Sequence, residues 1–293
     1  MKRKPLVVGT LLLLAGLIWQ PMLSASWTDR LPAGWSFASR YTGTQTYADP
    51  RTGLLPPRDV LSEYERVQWI EAGRGGSGSV VLHDRLTIRD PVTGEVVWEY
   101  ATAADLDRRT GAHLAKPFRG DVAVFPRHVQ AAVYRLRTNY LKGVPLAFEG
   151  EDDIEDIKVY VFSYQGPAEY TESYAGTTQF PGVTTGPGQE IRCADNAFYY
   201  RVWVEPLTGE AVKVEEGCPS GDYVYEIATG QRLQAVDRWS GVTAGDALVR
   251  RVAEVRGLRL RYLWASRYGT LLLLGGAAVA LSIAAMSWRA SRP

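Results

Sequence analysis

The sequence predicts a mainly β protein: an antiparallel, β-rich extracytoplasmic domain flanked by two transmembrane helices, the second continuous with a basic helical stalk. Three observations carry this prediction. The longest apolar runs lie at the two ends of the chain, the middle is built of short β-branched and aromatic runs separated by Gly and Pro, and charge is segregated between these regions. The averages over 293 residues, 46% hydrophobic and a net charge of +1, hide that polarity.

At the N-terminus, Lys2-Arg3-Lys4 precedes an apolar run from Pro5 to Trp19 that continues to Met22-Leu23. A basic tip followed by an apolar stretch is the pattern of a signal peptide or signal anchor. Residues 1–26 are read as an uncleaved anchor. Ser24-Ala25-Ser26 supplies the small residues of a cleavage site, so a cleaved signal, leaving a single-pass chain, stays open as the alternative.

Residues 27–242 form the expected β domain. Strands are placed at Glu65–Ala72, Ser79–Arg89, Glu95–Tyr100, Lys158–Tyr164, Phe198–Val204, Ala211–Val214 and Asp222–Ile227. A turn recurs between them: Asp49-Pro50-Arg51-Thr52-Gly53, Asp90-Pro91-Val92-Thr93-Gly94 and Glu205-Pro206-Leu207-Thr208-Gly209. Proline sets φ for the start of such a turn and glycine supplies φ > 0 where the chain reverses. Further Thr-Gly pairs follow at Thr110-Gly111 and Thr229-Gly230, which suggests two related hairpin modules, residues 84–112 and 199–231, sharing one strand order, independent use of one favourable turn being the alternative.

Residues 243–267 are read as the stalk. Thr243-Ala244-Gly245-Asp246 has the form of a capped helix start, and Leu248, Val252, Val255, Leu258 and Tyr262 recur at steps of three and four. Residues 268–288 carry no charge, lie between Arg267 and Arg289, and have the length that crosses a hydrocarbon core, with a short tail at 289–293. Two spans put both termini on one side, and Lys2-Arg3-Lys4 makes that side cytoplasmic by the positive-inside rule. One feature pulls the other way, because the stalk's arginines flank the second span on its outer side.

Charge excludes one class of function. Residues 238–267 hold seven arginines against Asp246 and Glu254, a net of +5, and the basic tips add as much again, which leaves residues 27–237 at about −9. So acidic a body repels phosphate, and no nucleic-acid partner is expected. With 9 Trp, 16 Tyr and 7 Phe, the chain is not a disordered one either.

The two cysteines, Cys193 and Cys218, flank the hairpin formed by Phe198–Val204 and Ala211–Val214. A disulfide is expected there. It would stabilise by about 3–4 kcal/mol in the chain-entropy model and persist only in an oxidising compartment, two unpaired buried thiols being the alternative.

Candidate chemistry is sparse. Gly73-Arg74-Gly75-Gly76-Ser77-Gly78 fits a GxGxxG string, but a strand-like Val80-Val81-Leu82 follows where a dinucleotide site needs a helix, so it is read as a hairpin loop. The acidic run Glu149, Glu151, Asp152, Asp153, Glu155 and Asp156 offers hard oxygen ligands for a weak Ca²⁺ site, yet lacks EF-hand spacing and reads first as a solvated loop. His83, His113 and His128 stand in separate segments without metal-ligand spacing. No GxSxG elbow is present, and neither an enzyme nor a cofactor is expected. Arg250, Arg251, Arg256, Arg259 and Arg261 are candidate contacts for anionic head groups, for an acidic partner, or for the acidic body of the same chain.

In order along the chain, the apolar N-terminus followed by Leu31-Pro32, then Asp107-Arg108-Arg109-Thr110-Gly111, Phe125-Pro126 with Tyr134 downstream, Ile157 to Phe162, Trp203 to Gly209 and the terminal span resemble the DUF3068 family of bacterial membrane proteins, also labelled the PorA porin family. The resemblance covers most of the chain and implies a membrane-tethered external domain without catalytic residues. Where the family carries Phe-Pro-Phe, this chain has Phe125-Pro126-Arg127. The layout also resembles that of scavenger-receptor proteins, an external β domain between two spans. The expected role is that of a non-enzymatic envelope protein binding membrane lipid and a protein, polysaccharide or lipid ligand. A porin-like channel component or a lipid carrier is the alternative.

Overall fold

A computed structural model describes residues 4–18, 30–32, 34–49, 51–72, 78–116, 118–137, 142–175 and 189–289. Helix α1 spans Lys4–Ile18. The strands follow as β1 Ser36–Tyr47, β2 Leu61–Ala72, β3 Ser79–Arg89, β4 Val96–Asp107, β5 Tyr134–Leu136, β6 Val144–Ile154, β7 Ile157–Ala175, β8 Glu190–Glu205, β9 Glu210–Cys218, β10 Tyr223–Glu226, β11 Arg232–Ala235 and β12 Asp237–Thr243. The chain ends in α2 Gly245–Leu263, a π-helical segment Trp264–Tyr268 and α3 Gly269–Arg289.

Period-2 patterning makes the strands, and Gly-bearing turns join them into antiparallel neighbours in the order β4-β3-β2-β1-β12-β9-β8-β7-β6-β5, with β10 pairing β8 and β11. The two edges of this path do not stay open. Bridges Leu106–His113, Ala112–Val122 and Val122–Leu136 carry the backbone pairing from β4 back to β5, so the sheet closes on itself and leaves few open hydrogen-bonding edges.

Closure decides where the core sits. Inward-facing Tyr41, Tyr64, Ile88, Leu146, Phe162, Phe198, Tyr200 and Val202 meet inside the ring, and Phe125 from the β4–β5 connection lies among them. Its ring is 5.0 Å from that of Phe162 and 5.2 Å from that of Tyr134. Each such side chain contributes about 1.5–3 kcal/mol by leaving water. On the opposite face of β7, β8 and β9, Val159, Val161, Trp203 and Val212 are covered by Val252 and Val255 of α2. The outward positions of β2 to β4 instead carry exposed charge, including Glu63, Glu65, Arg85, Glu99 and Asp105.

The apolar ends form two helices of different length. The 21-residue α3 is about 31 Å long and matches a hydrocarbon core, whereas the 15 residues of α1 reach about 22 Å. They pack together through small residues: a Cβ placed on Gly9 would lie 2.9 Å from Leu281 Cγ, one on Gly16 3.3 Å from Leu274 Cδ2, and one on Gly276 3.4 Å from Leu12 Cδ1. Numbers rise along one helix as they fall along the other, so the pair is antiparallel. Ser24-Ala25-Ser26 and the GxGxxG residues 73–77 lie outside the described residues, and the latter are flanked by the antiparallel strands β2 and β3.

Three expectations are corrected. Cys193 and Cys218 form no disulfide; both are buried free thiols. The ladder explains it, since Cys193 of β8 faces Val224 of β10, while Cys218 lies opposite Trp239 of β12 and its neighbour Gly217 faces Tyr199, six residues along β8 from Cys193. Thr243 does not cap the helix. The N-cap is Ala244, without a side-chain hydrogen bond, because Thr243 still belongs to β12, where its hydroxyl accepts from Val214 N (2.9 Å) and donates to Val214 O (3.2 Å). Nor do the two hairpin modules share a strand order. In the first, Thr110-Gly111 directly follows β4, the partner of β3; in the second, Thr229-Gly230 follows β10, an additional strand that pairs with β8.

What recurs is a single turn. In Asp49–Gly53, Asp90–Gly94, Asp107–Gly111, Glu205–Gly209 and Glu226–Gly230, the glycine N–H returns to the carbonyl of the acidic residue at 2.8–2.9 Å. In each copy that glycine has φ between 67° and 74°.

Candidate functional site

The buried junction between the barrel and the membrane helix is the best-defined polar site in the fold. Three elements reach it. Arg30 enters just before β1, Glu210 opens β9 after the Glu205–Gly209 turn, and Arg251 lies on the first half of α2. All three are at least 95% buried. Arg30 Nη1 donates to Glu210 Oε1 at 2.5 Å, its Nη2 to Gly209 O at 3.0 Å and its Nε to Phe125 O. Arg251 Nη2 donates to the other oxygen of Glu210, Nε to Ala211 O at 2.8 Å, and Nη1 to Glu254 at 3.2 Å. The Arg251 guanidinium also lies 4.6 Å from the centroid of the Phe37 ring.

One carboxylate between two guanidiniums has a predictable electrostatic character. Burial alone would raise the Glu210 pKa, but the charges of Arg30 and Arg251, with the hydrogen bonds from Arg251 and Trp35, hold it down at about 2. Arg30 is lowered by its own burial and by Arg251, against the pull of Glu210. The arrangement positions α2 against the barrel. The adjoining cavity is about 60 Å³, room for a few waters and far below the few hundred Å³ of a small-molecule site.

A second layer of contacts extends the junction along α2. The Phe125–Val129 segment straps the Glu205–Gly209 turn through Val129 N to Pro206 O (2.7 Å) and His128 N to Leu207 O (3.2 Å). His128 Nε2 meets the Tyr262 hydroxyl at 2.7 Å, and the Arg127 guanidinium covers the Tyr262 ring at 4.6 Å. Arg127 therefore contacts α2 directly.

The predicted residues divide. Of the α2 arginines, Arg251 is buried in the junction, Arg256 donates to Glu155 O at 2.6 Å, Arg259 lies 3.5 Å from Glu205, and Arg250 pairs with Asp246 at 3.5 Å. Arg251 and Arg259 thus meet carboxylates of the β domain, Arg256 meets its backbone, Arg250 pairs within its own helix, and Arg261 is exposed nearer the span. The acidic run forms the β6–β7 hairpin, with Glu155 and Asp156 at its tip at φ 48° and 65°. Its side chains are spread along the strand: Glu149 pairs with Arg201 at 2.8 Å and Asp152 accepts from Trp203 Nε1 at 3.0 Å, where Glu151 and Asp153 lie on the neighbouring rungs. Among the described residues the ligand atoms that converge belong elsewhere, to Asp195, Cys218 and Asp222. The histidines stay apart: His83 stacks on Trp69 at 5.0 Å, His113 is buried beside β4, and His128 touches α2. Arg30 and Glu210 escape sequence reasoning because they lie 180 positions apart, and only Arg30's place beside the apolar Leu31-Pro32 hinted at burial.

A closed, side-chain-filled β domain fastened by buried ion pairs to α2, which runs on into the long apolar α3 with the shorter apolar α1 against it, defines a membrane-associated β protein. Residues 5–286 match the family described as Porin PorA, and the chain belongs to that family. It is a non-catalytic, β-rich extracytoplasmic protein of the envelope. No curated protein matches the chain. Among solved structures, a conserved hypothetical protein from Mycobacterium tuberculosis with a double hotdog fold matches at 11% identity over 79% of this chain and 80% of its own. The TM-score is 0.16, too low to inform fold or function.

Proposed function

We propose that the chain is a two-pass membrane protein with both termini in the cytoplasm, and that its barrel is an extracytoplasmic binding module for another envelope component rather than a pore. The observation that carries this reading is the filled barrel. Phe125, Phe162 and Phe198 occupy the space a channel would need, and the outward strand positions are charged where a lipid-facing barrel needs an apolar band. The antiparallel packing of α1 on α3 supports the shared side of the termini. The basic α2 acts as a short stalk held to the barrel, leaving Arg261 and Arg267 free to meet anionic head groups. The loop between β1 and β2 and the first residue of β2, with Leu54, Val60 and Leu61 each more than half exposed, form the contact surface it would use.

Two measurements test this. The purified full chain in a planar bilayer is expected to give no steady conductance; reproducible unit conductance overturns the binding reading. A photo-crosslinker at position 54 or 61 in intact cells is expected to give one discrete adduct, absent when the probe replaces Glu99, and equal labelling from both faces counts against the proposed surface.

A further inference from the structure

At the end of the barrel away from α2, the fold gathers a group that the junction does not explain. The Cys218–Gly221 turn, closed by Gly221 N to Cys218 O at 3.1 Å with Gly221 at φ 86°, returns Asp222 beside the thiol that ends β9. Asp222 is then locked against β12, its N–H donating to Asp237 O at 2.7 Å and its carbonyl accepting from Val236 N at 2.8 Å. From β8, Asp195 joins them. One ligand atom from each of Asp195, Cys218 and Asp222 lies within 4.8 Å of the others, and the three residues are 1%, 0% and 3% exposed.

Their hydrogen bonding is incomplete in a consistent way. One oxygen of each carboxylate is held by the protein: Asp195 Oδ1 by Ala197 N at 2.7 Å, Asp222 Oδ2 by Trp239 Nε1 at 3.2 Å and by the Tyr170 hydroxyl, and Asp237 Oδ2 by Gln45. The other oxygen, Asp195 Oδ2, Asp222 Oδ1 and Asp237 Oδ1, is buried without a hydrogen-bond partner. Among the described residues no Lys, Arg or His pairs with any of the three. Buried carboxylates without a countercharge are among the costliest groups a fold can hold.

We propose that Asp195, Cys218 and Asp222 form a binding site for a divalent cation of the zinc class, tying β8, the β9–β10 turn and β12 together. One thiolate and two carboxylates suit zinc better than Ca²⁺ or Mg²⁺, which take oxygen ligands alone. Tyr170, Trp239 and Ala197 orient the ligating carboxylates from behind, the usual office of groups around a metal. Binding would take Cys218 as the thiolate, its proton leaving to solvent. This assignment also gives Cys218 a role that does not depend on a disulfide.

The test uses the full chain, purified in detergent under reducing conditions, stripped with chelator and re-equilibrated with equimolar Zn²⁺. Elemental analysis after desalting is expected to give one zinc per chain. Asp195→Asn, Asp222→Asn and Cys218→Ser should each weaken retention at least about tenfold, whereas Asp152→Asn in the β6–β7 hairpin should retain it. Should the site variants fail to fold, Co²⁺ added to the unaltered chain decides: a thiolate-to-cobalt charge-transfer band supports the site. A spectrum without that band, metal retained equally by Cys218→Ser, or a Cys193–Cys218 disulfide in the isolated protein overturns it.

Discussion

Replacing Glu210 with Gln removes the one negative charge between two buried guanidiniums while keeping the side chain's size. A carboxyl held at about 2 against an ordinary 4.5 represents about 3 kcal/mol of charge stabilisation at neutral pH. Losing one member of a buried ion pair typically costs about 3–5 kcal/mol, because the remaining charge stays buried. Arg251 keeps Ala211 O and Glu254, and Arg30 keeps Gly209 O and Phe125 O, so the lower part of that range is expected. For a domain of this size it corresponds to a fall in Tm of roughly 6–15 °C. The assay is thermal unfolding of the full chain in detergent, followed by tryptophan fluorescence.

The pH dependence makes the prediction specific. Glu210 has a folded pKa below its unfolded one, so its contribution is complete above about pH 4.5 and disappears as pH falls toward 2. The gap between the parent chain and Glu210→Gln should therefore be widest at neutral pH and should close between about pH 4.5 and 2. A loss under about 1 kcal/mol at pH 7, or a gap of constant size across this range, would show that the carboxylate is not what holds α2 to the barrel. As a companion, replacing the whole triad by Arg30→Leu, Glu210→Leu and Arg251→Met should restore more stability than the single change leaves, since no charge then remains buried.

Three further outcomes follow from the same geometry. Gly209→Ala meets Pro126 O at 2.2 Å with φ at 74°, so it should destabilise by more than about 2 kcal/mol, while Gly94→Ala, at φ 72° in open space, should cost only about 1 kcal/mol in the same unfolding assay. Gly9→Leu presses on Leu281 and should part α1 from α3, read as loss of a disulfide engineered between the two helices, with Val7→Leu on the exposed side as the silent control. Cys193 and Cys218 should react with a maleimide only after unfolding, giving two adducts by mass spectrometry without prior reduction; finding none restores the disulfide.

Local signals carried much of the architecture. Ser79–Arg89 was legible to the residue, because its alternation lies between a Gly-rich loop and an Asp-Pro turn. β1 was not, since Ser36–Tyr47 reads SFASRYTGTQTY, half of it hydroxyls and Gly, and its strand state comes from partners on both sides. β12 hid for the same reason: its Thr243 served a ladder contact with Val214 while looking like a helix cap. Closure of the sheet rests on isolated bridges between residues up to 14 positions apart, which leave no period in the sequence. The two long-range sites were beyond reach altogether. Arg30 reaches Glu210 from the segment before β1, and Asp195 converges with Cys218 and Asp222 through the pairing of β8 with β9 and β10, in registers that local patterns do not set.

The five acidic-x-x-Thr-Gly turns show what a motif can and cannot specify. All five share the same glycine-to-carbonyl return, so the local chemistry is one and the same. At Asp49, Asp90 and Asp107 the carboxylate caps N–H groups of its own turn in solvent. At Glu205 the same group is 1% exposed: it takes both the N–H and the hydroxyl of Thr208 at 2.7 Å, faces Arg259, and lies under the strap that carries Phe125 into the barrel. Burial, not the motif, turns one copy into the meeting point of barrel, strap and membrane helix. Changing Thr208 to Val should therefore cost about 1–3 kcal/mol by leaving a buried carboxylate oxygen short of a donor, while Thr93→Val, which removes only an exposed hydroxyl, should stay within about 0.5 kcal/mol. Equal effects at the two sites would mean that the turn acts through its local geometry alone.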